Sequence, residues 1–180
     1  MQLRSALVRL AVAPFLIGCA SGSNSEPAFK TVAIDDAGAV RTTTTPGAPE
    51  AFAAPEAKVW DALAAAYGAI GLTVNLSEPA GHRMGSSNFY RSGRMYGQPV
   101  SHFANCGDGM TGPLADTRRV YFSVVTTATA VDATHTALVT GVSPTAVDIS
   151  GGSSDRISCG STGALEAMLY DAVARQLRAK

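Results

Sequence analysis

The sequence is poor in charge, in histidine and in the local signatures of catalysis. Charged residues make up only 16% of the chain, and 14 basic side chains balance 14 acidic ones. No lysine- or arginine-rich block stands out, so the chain carries no electrostatic footprint for nucleic acid. Beyond the N-terminus there is no apolar run of about 18 residues, so the body is not expected to cross a bilayer as a helix. There are only 3 histidines, with no His-Glu-x-x-His and no Cys-x-x-Cys, so no metal site or other cofactor is predicted. Gly-x-Ser-x-Gly is absent, which leaves a Ser-His-Asp triad without a nucleophile elbow. Gly107-Asp108-Gly109-Met110-Thr111-Gly112 matches Gly-x-Gly-x-x-Gly by letter. No apolar strand leads into it and Pro113 follows where a helix should open, so it reads as a glycine-rich turn.

What is present is a core-forming composition, with 46% hydrophobic residues over 180, enough for one domain. The N-terminus has the order of an export signal: Arg4 and Arg9, a short apolar stretch from Leu10 to Ile17, then the small residue Gly18. Leu16-Ile17-Gly18-Cys19 resembles the lipobox of bacterial lipoproteins. The resemblance implies cleavage before Cys19, diacylglycerol on its sulfur and acylation of the new amino group. Several acyl chains anchor a protein stably where one does so only marginally. Residues 1–18 are thus expected to be a signal peptide, 19–28 a flexible tether and 29–180 a single domain. Cleavage would remove Arg4 and Arg9, leaving 12 basic against 14 acidic side chains. Ala20, rather than Asp, follows Cys19, which implies sorting to the outer membrane, on its periplasmic face.

Within the domain, Phe29–Ile34 and Ala39–Thr45 read as a short strand pair. Pro46-Gly47-Ala48-Pro49 breaks the chain. A helix is predicted from Pro55 to Gly71, since Val59, Trp60, Leu63, Tyr67 and Ile70 recur at helical spacing. Leu72, Val74 and Leu76 alternate with polar residues as in a half-buried strand, and His82–Arg91 is its hairpin partner. Residues 92–117 show no regular pattern, and a loop of that length is often functional. Arg118–Val131 is the clearest strand, His135–Val142 pairs back, and Thr145–Ile149 adds another. A second helix begins near Ala164, with Leu165, Leu169, Ala172, Val173 and Leu177 on one face. The expected fold class is α+β: an antiparallel sheet of four to six strands with two main helices on one face.

With Cys19 assigned to lipid, Cys106 and Cys159 remain as a pair in an exported chain, and a disulfide is the default. Chain entropy would give the bridge about 4 kcal/mol at most. The alternatives are two free thiols, or thiolate ligands with His102 nearby. His82 and His135 read as solvated edge residues. Trp60 and Tyr67 are candidates for lining a ligand cavity, although aromatics at helical spacing are more often core. Arg83, Arg91, Arg94, Arg118 and Arg119 would form an anion site if the strands brought them together.

Residues Ala54-Pro55-Glu56-Ala57-Lys58-Val59-Trp60-Asp61-Ala62-Leu63, followed by Gly71-Leu72-Thr73-Val74, resemble the opening of helix-grip domains. Such domains occur in outer-membrane assembly lipoproteins of the BamC type and in START-like ligand-binding proteins. The first resemblance implies a body over 54–180 that binds a protein partner or serves a structural role without catalysis. The second implies a carrier or sensor of an apolar ligand held between sheet and helix. The expected partners are the membrane, through lipidated Cys19, and a protein of the envelope, with no nucleic acid.

Overall fold

The computed structural model describes residues 47–149 and 156–179, together with the backbone of 31–34 and 40–43. The expected strand pair is present as β1 (Thr31–Ile34) and β2 (Val40–Thr43), antiparallel to each other. A short β3 (Glu50–Phe52) then leads into α1 (Glu56–Ala69). Pro55 stands immediately before α1 with an extended backbone, and its carbonyl receives the first helical bonds from Lys58 and Val59. Gly71, at φ 69°, lets the chain leave the helix, and the Leu72 N–H turns back onto the Tyr67 carbonyl.

That exit shortens the strand predicted over 72–77. Regular pairing begins only at β4 (Leu76–Glu78), opposite β5 (Arg83–Ser92). Asn75 bridges the gap with its side chain: the Ser87 N–H donates to its Oδ1 at 2.8 Å, and its Nδ2 donates to the Ser87 carbonyl at 3.0 Å.

Residues 92–117 are not an open loop. They form β6 (Arg94–Met95), β7 (Gln98–Pro99), a 3-10 turn at Val100–His102, β8 (Ala104–Asn105), β9 (Asp108–Gly109), β10 (Gly112–Pro113) and α2 (Leu114–Thr117). The segment buries Met95, Val100, Phe103, Ala104, Cys106 and Ala115. Asp116 ties it together, accepting hydrogen bonds from the Ser101 N–H and Oγ, both at 2.8 Å. The glycine-rich motif falls in the β9–β10 hairpin.

Two long strands make the centre: β11 (Arg119–Ala130) and β12 (Thr136–Val147). β12 is one strand where two were expected. Pro144 interrupts the sequence pattern but not the ladder, because its carbonyl accepts from the Cys159 N–H on the outer edge. In an antiparallel strand a residue's N–H and carbonyl point the same way, so the missing N–H also faces outward rather than toward β11. β13 (Arg156–Ser158), β14 (Gly160–Ser161) and α3 (Ala164–Ala179) complete the chain.

The main sheet runs in the order β13-β12-β11-β5-β6-β7, with β3 beside β12 and β4 beside β5. All its pairings are antiparallel, and the class is α+β. A bulge between Phe122 and Val124 sets Asn88 in the left-handed region at φ 58°. One sheet face carries α1 and α3. Val120, Phe122, Val124, Thr126 and Ala128 of β11 point into it, as do Leu138, Thr140, Val142 and Ala146 of β12, and all are buried. Val59, Leu63 and Tyr67 of α1 and Leu165, Leu169 and Val173 of α3 close the core from above.

Candidate functional site

The helix–sheet interface is filled by side chains and crossed by a line of hydroxyls. Tyr67 is wholly buried, and its hydroxyl lies 2.9 Å from Thr126 Oγ1, which lies 2.9 Å from Thr140 Oγ1. From the other helix, the Tyr170 hydroxyl accepts from the Thr140 N–H at 2.9 Å. Burial pushes the Tyr67 phenol up to about 12, and burial also raises Tyr170. Tyr67 is therefore part of the hydrogen-bonded core.

Trp60 sits differently. Half-buried, it borders a shallow surface depression of about 280 Å3 with Glu56, Ala57, Pro79 and His82. The His82 ring lies 5.9 Å from that of Trp60, and its Nδ1 meets Glu56 Oε1 at 2.5 Å. The contact ties the β4–β5 connection to the first turn of α1.

The other histidines stand elsewhere. His102 is exposed with its ring edge-on to Phe103, and His135 closes the β11–β12 turn with Asp132. Asp132 accepts from the Thr134 N–H and hydroxyl and meets the His135 ring nitrogen, and these bonds lower its carboxyl to about 2. Among the described residues no three His, Cys, Asp or Glu side chains are grouped as metal ligands. No helix of the described residues is long and apolar enough to cross a membrane.

Cys106 and Cys159 form a disulfide across a sequence separation of 53. It joins the residue after β8 to the residue between β13 and β14, and β8 pairs with β14 alongside it. Cys19 lies outside the described residues.

Glu166 lies in the first turn of α3, where its spacing from Gly163 suits a weak N-terminal cap. It is buried, with Oε1 accepting from Ser161 Oγ at 2.6 Å and Oε2 without a hydrogen-bond partner among the described residues. Burial raises its carboxyl above the ordinary range, against the lowering effect of the Ser161 bond.

Among the described residues no helix lies on the second sheet face, and its rows follow from register. Ser123 faces Ser143; Val125 lies between Gly85 and Gly141; Thr127 lies between Arg83 and Val139. Together they floor a depression of about 270 Å3. The five arginines named from the sequence do not converge. Arg83 pairs with Glu78 at 3.2 Å, and Arg118 with Asp148 at 3.7 Å. Arg91 lies over Phe89. Arg94 and Arg119 share a row of the uncovered face with Arg156, a residue the sequence pattern did not flag.

No known family model matches this chain, and a search of curated proteins finds no match.

Proposed function

We propose that this chain is a membrane-anchored lipoprotein of the bacterial envelope, whose domain is a non-enzymatic module for a protein partner or a structural role. The lipid would sit on Cys19 and hold the domain at the periplasmic face of the outer membrane. The observation that carries the reading of the domain is the filled helix–sheet interface. A START-like carrier needs a ligand-sized space between sheet and helix. Here Leu63, Tyr67, Phe122, Val124, Leu165 and Leu169 are wholly buried in that layer, and the Tyr67–Thr126–Thr140 hydroxyls bond across it. The Cys106–Cys159 bridge fits an oxidising compartment such as the periplasm.

The test is metabolic labelling with a palmitate analogue, followed by fractionation of cells expressing the parent or Cys19→Ala. The parent should take up label and sediment with membranes. The variant should lose the label, and either leave the membrane fraction or stay there with its signal uncut. An unlabelled parent would overturn the anchor. An apolar lipid co-purifying in stoichiometric amount with the domain would overturn the non-carrier reading.

A further inference from the structure

Three arginines far apart in the sequence stand in one line across the uncovered sheet face. Arg156 of β13 is opposite Val147 of β12, which is opposite Arg119 of β11. Arg119 is opposite Ser92 of β5, and Ser92 is opposite Arg94 of β6. Residues directly opposite one another project to the same side of a sheet. That side is the uncovered one, because the adjacent residues Ala146, Val120 and Met95 are buried beneath the helices or in the 92–117 segment.

At about 4.8 Å per strand the row is about 19 Å long, with a guanidinium near each end and one in the middle. Arg94 and Arg156 are exposed. Arg119 is half-buried, its Nε has no hydrogen-bond partner among the described residues, and its guanidinium lies 4.8 Å over the Tyr90 ring. Tyr90 is 53% exposed in the next row, and Ile149, two residues past Val147, is 55% exposed. Asp148, next to Val147 of the row, is paired with Arg118, and Asp155, next to Arg156 in sequence, lies outside the described residues.

We propose that this end of the sheet docks on a bilayer surface rich in anionic phospholipid. The arginine row meets the phosphates, and Tyr90 and Ile149 enter the headgroup layer, where tyrosine and apolar tips are favoured beside cations. A nucleic-acid strand fits less well. It would need a free aromatic face for stacking, and Arg119 already covers Tyr90, which also tilts onto Tyr121 at 5.8 Å. The proposal concerns how the domain sits on a surface and does not depend on lipid at Cys19.

The experiment mixes the full chain with vesicles of neutral phosphatidylcholine, or with vesicles part-replaced by phosphatidylglycerol. The N-terminal segment is common to parent and variants, so the quantity read is how the anionic-to-neutral ratio of partition coefficients changes. The parent should favour anionic vesicles, and added salt should erase the preference. Substituting Arg94→Gln, Arg119→Gln and Arg156→Gln should lower the ratio about five-fold per arginine. Since Arg119 is half-buried, the double variant R94Q/R156Q repeats the test with exposed sites only. Arg83→Gln, on the same face but paired with Glu78, should leave the ratio unchanged.

Equal ratios for the parent and R94Q/R156Q would overturn the proposal. So would an equal fall for Arg83→Gln, displacement by inorganic phosphate at matched ionic strength, or row-dependent binding of a single-stranded oligonucleotide in place of vesicles.

Discussion

Removing the hydroxyl of Tyr67 perturbs the helix–sheet interface at one atom. The Tyr67→Phe ring keeps its place among wholly buried neighbours, while Thr126 loses the partner at 2.9 Å and keeps Thr140 at 2.9 Å, and the Met84 carbonyl loses a long bond of 3.4 Å. One buried hydrogen bond is worth about 0.5–1.5 kcal/mol net, and a stranded group costs more. Because Thr126 keeps one partner, the expected loss is about 1 kcal/mol, or about 2–4 °C in Tm for a domain of this size. Equilibrium unfolding in urea, with the disulfide intact, measures it. The triple variant Y67F/T126V/T140V removes the whole line at nearly constant shape, and should cost less than the three single changes together.

The line also has a signature in alkali. The folded-state phenol of Tyr67 is raised to about 12 from the usual 10.0, so below the usual value neither state ionises and its contribution is intact. As pH rises toward the folded value the unfolded chain ionises first, and about 3 kcal/mol of stability is lost. The difference between parent and Tyr67→Phe isolates this loss from that of other tyrosines. A variant as stable as the parent at neutral pH, with the same alkaline slope, would refute the role given to the hydroxyl line.

Three further outcomes are expected. A Cβ on Gly85 would lie 2.5 Å from the Val124 carbonyl oxygen, whereas one on Gly141, in the same row, meets nothing within 4 Å. Gly85→Ala should therefore cost about 1–3 kcal/mol in urea unfolding and Gly141→Ala much less; equal costs would contradict the close approach of β5 to β11. The folded-state carboxyl of Glu166 is raised by burial, so stability should fall as pH climbs above the usual glutamate value of 4.5, the unfolded chain ionising first. Glu166→Gln should flatten that slope, and an unchanged slope would show that another group sets it. Replacing Cys106 and Cys159 by Ser should cost up to about 4 kcal/mol, from the loop of 53 residues released in the unfolded chain; an unshifted unfolding midpoint would exclude that entropy.

Periodicity made the long elements legible. The stripe of Val59, Leu63 and Tyr67 in α1, and that of Leu165, Leu169 and Val173 in α3, are the faces that pack on the sheet. Val120, Phe122 and Val124 alternate inward along β11 at a period of two. Cysteine counting sufficed for the bridge. The two- and three-residue pairings of β3, β6–β10, β13 and β14 stayed hidden, because so short a run has no period. Pro144 misled because its tolerance depends on which edge of β12 its nitrogen faces, and sequence does not carry that. Thr126 and Thr140 read as strand formers, and only the register places their hydroxyls beside Tyr67. The arginine row is further still from the sequence, since Arg94, Arg119 and Arg156 are joined by four successive strand pairings.

The bridge and the row meet at β13. This edge strand has only three register pairs with β12, and it carries Arg156 at its far end. One residue after it, Cys159 is fixed by the disulfide and by its N–H bond to the Pro144 carbonyl. A strand this short holds little register of its own, so the covalent tie limits how far Arg156 can leave the line of Arg119 and Arg94. If the row docks on anionic lipid, breaking the bridge should remove about one arginine's share, a five-fold fall in the vesicle ratio. Arg156→Gln should already have lost that share, so reducing the bridge in this variant should change its ratio little. A full five-fold fall on reduction of Arg156→Gln would mean that the bridge acts on the whole domain rather than through β13.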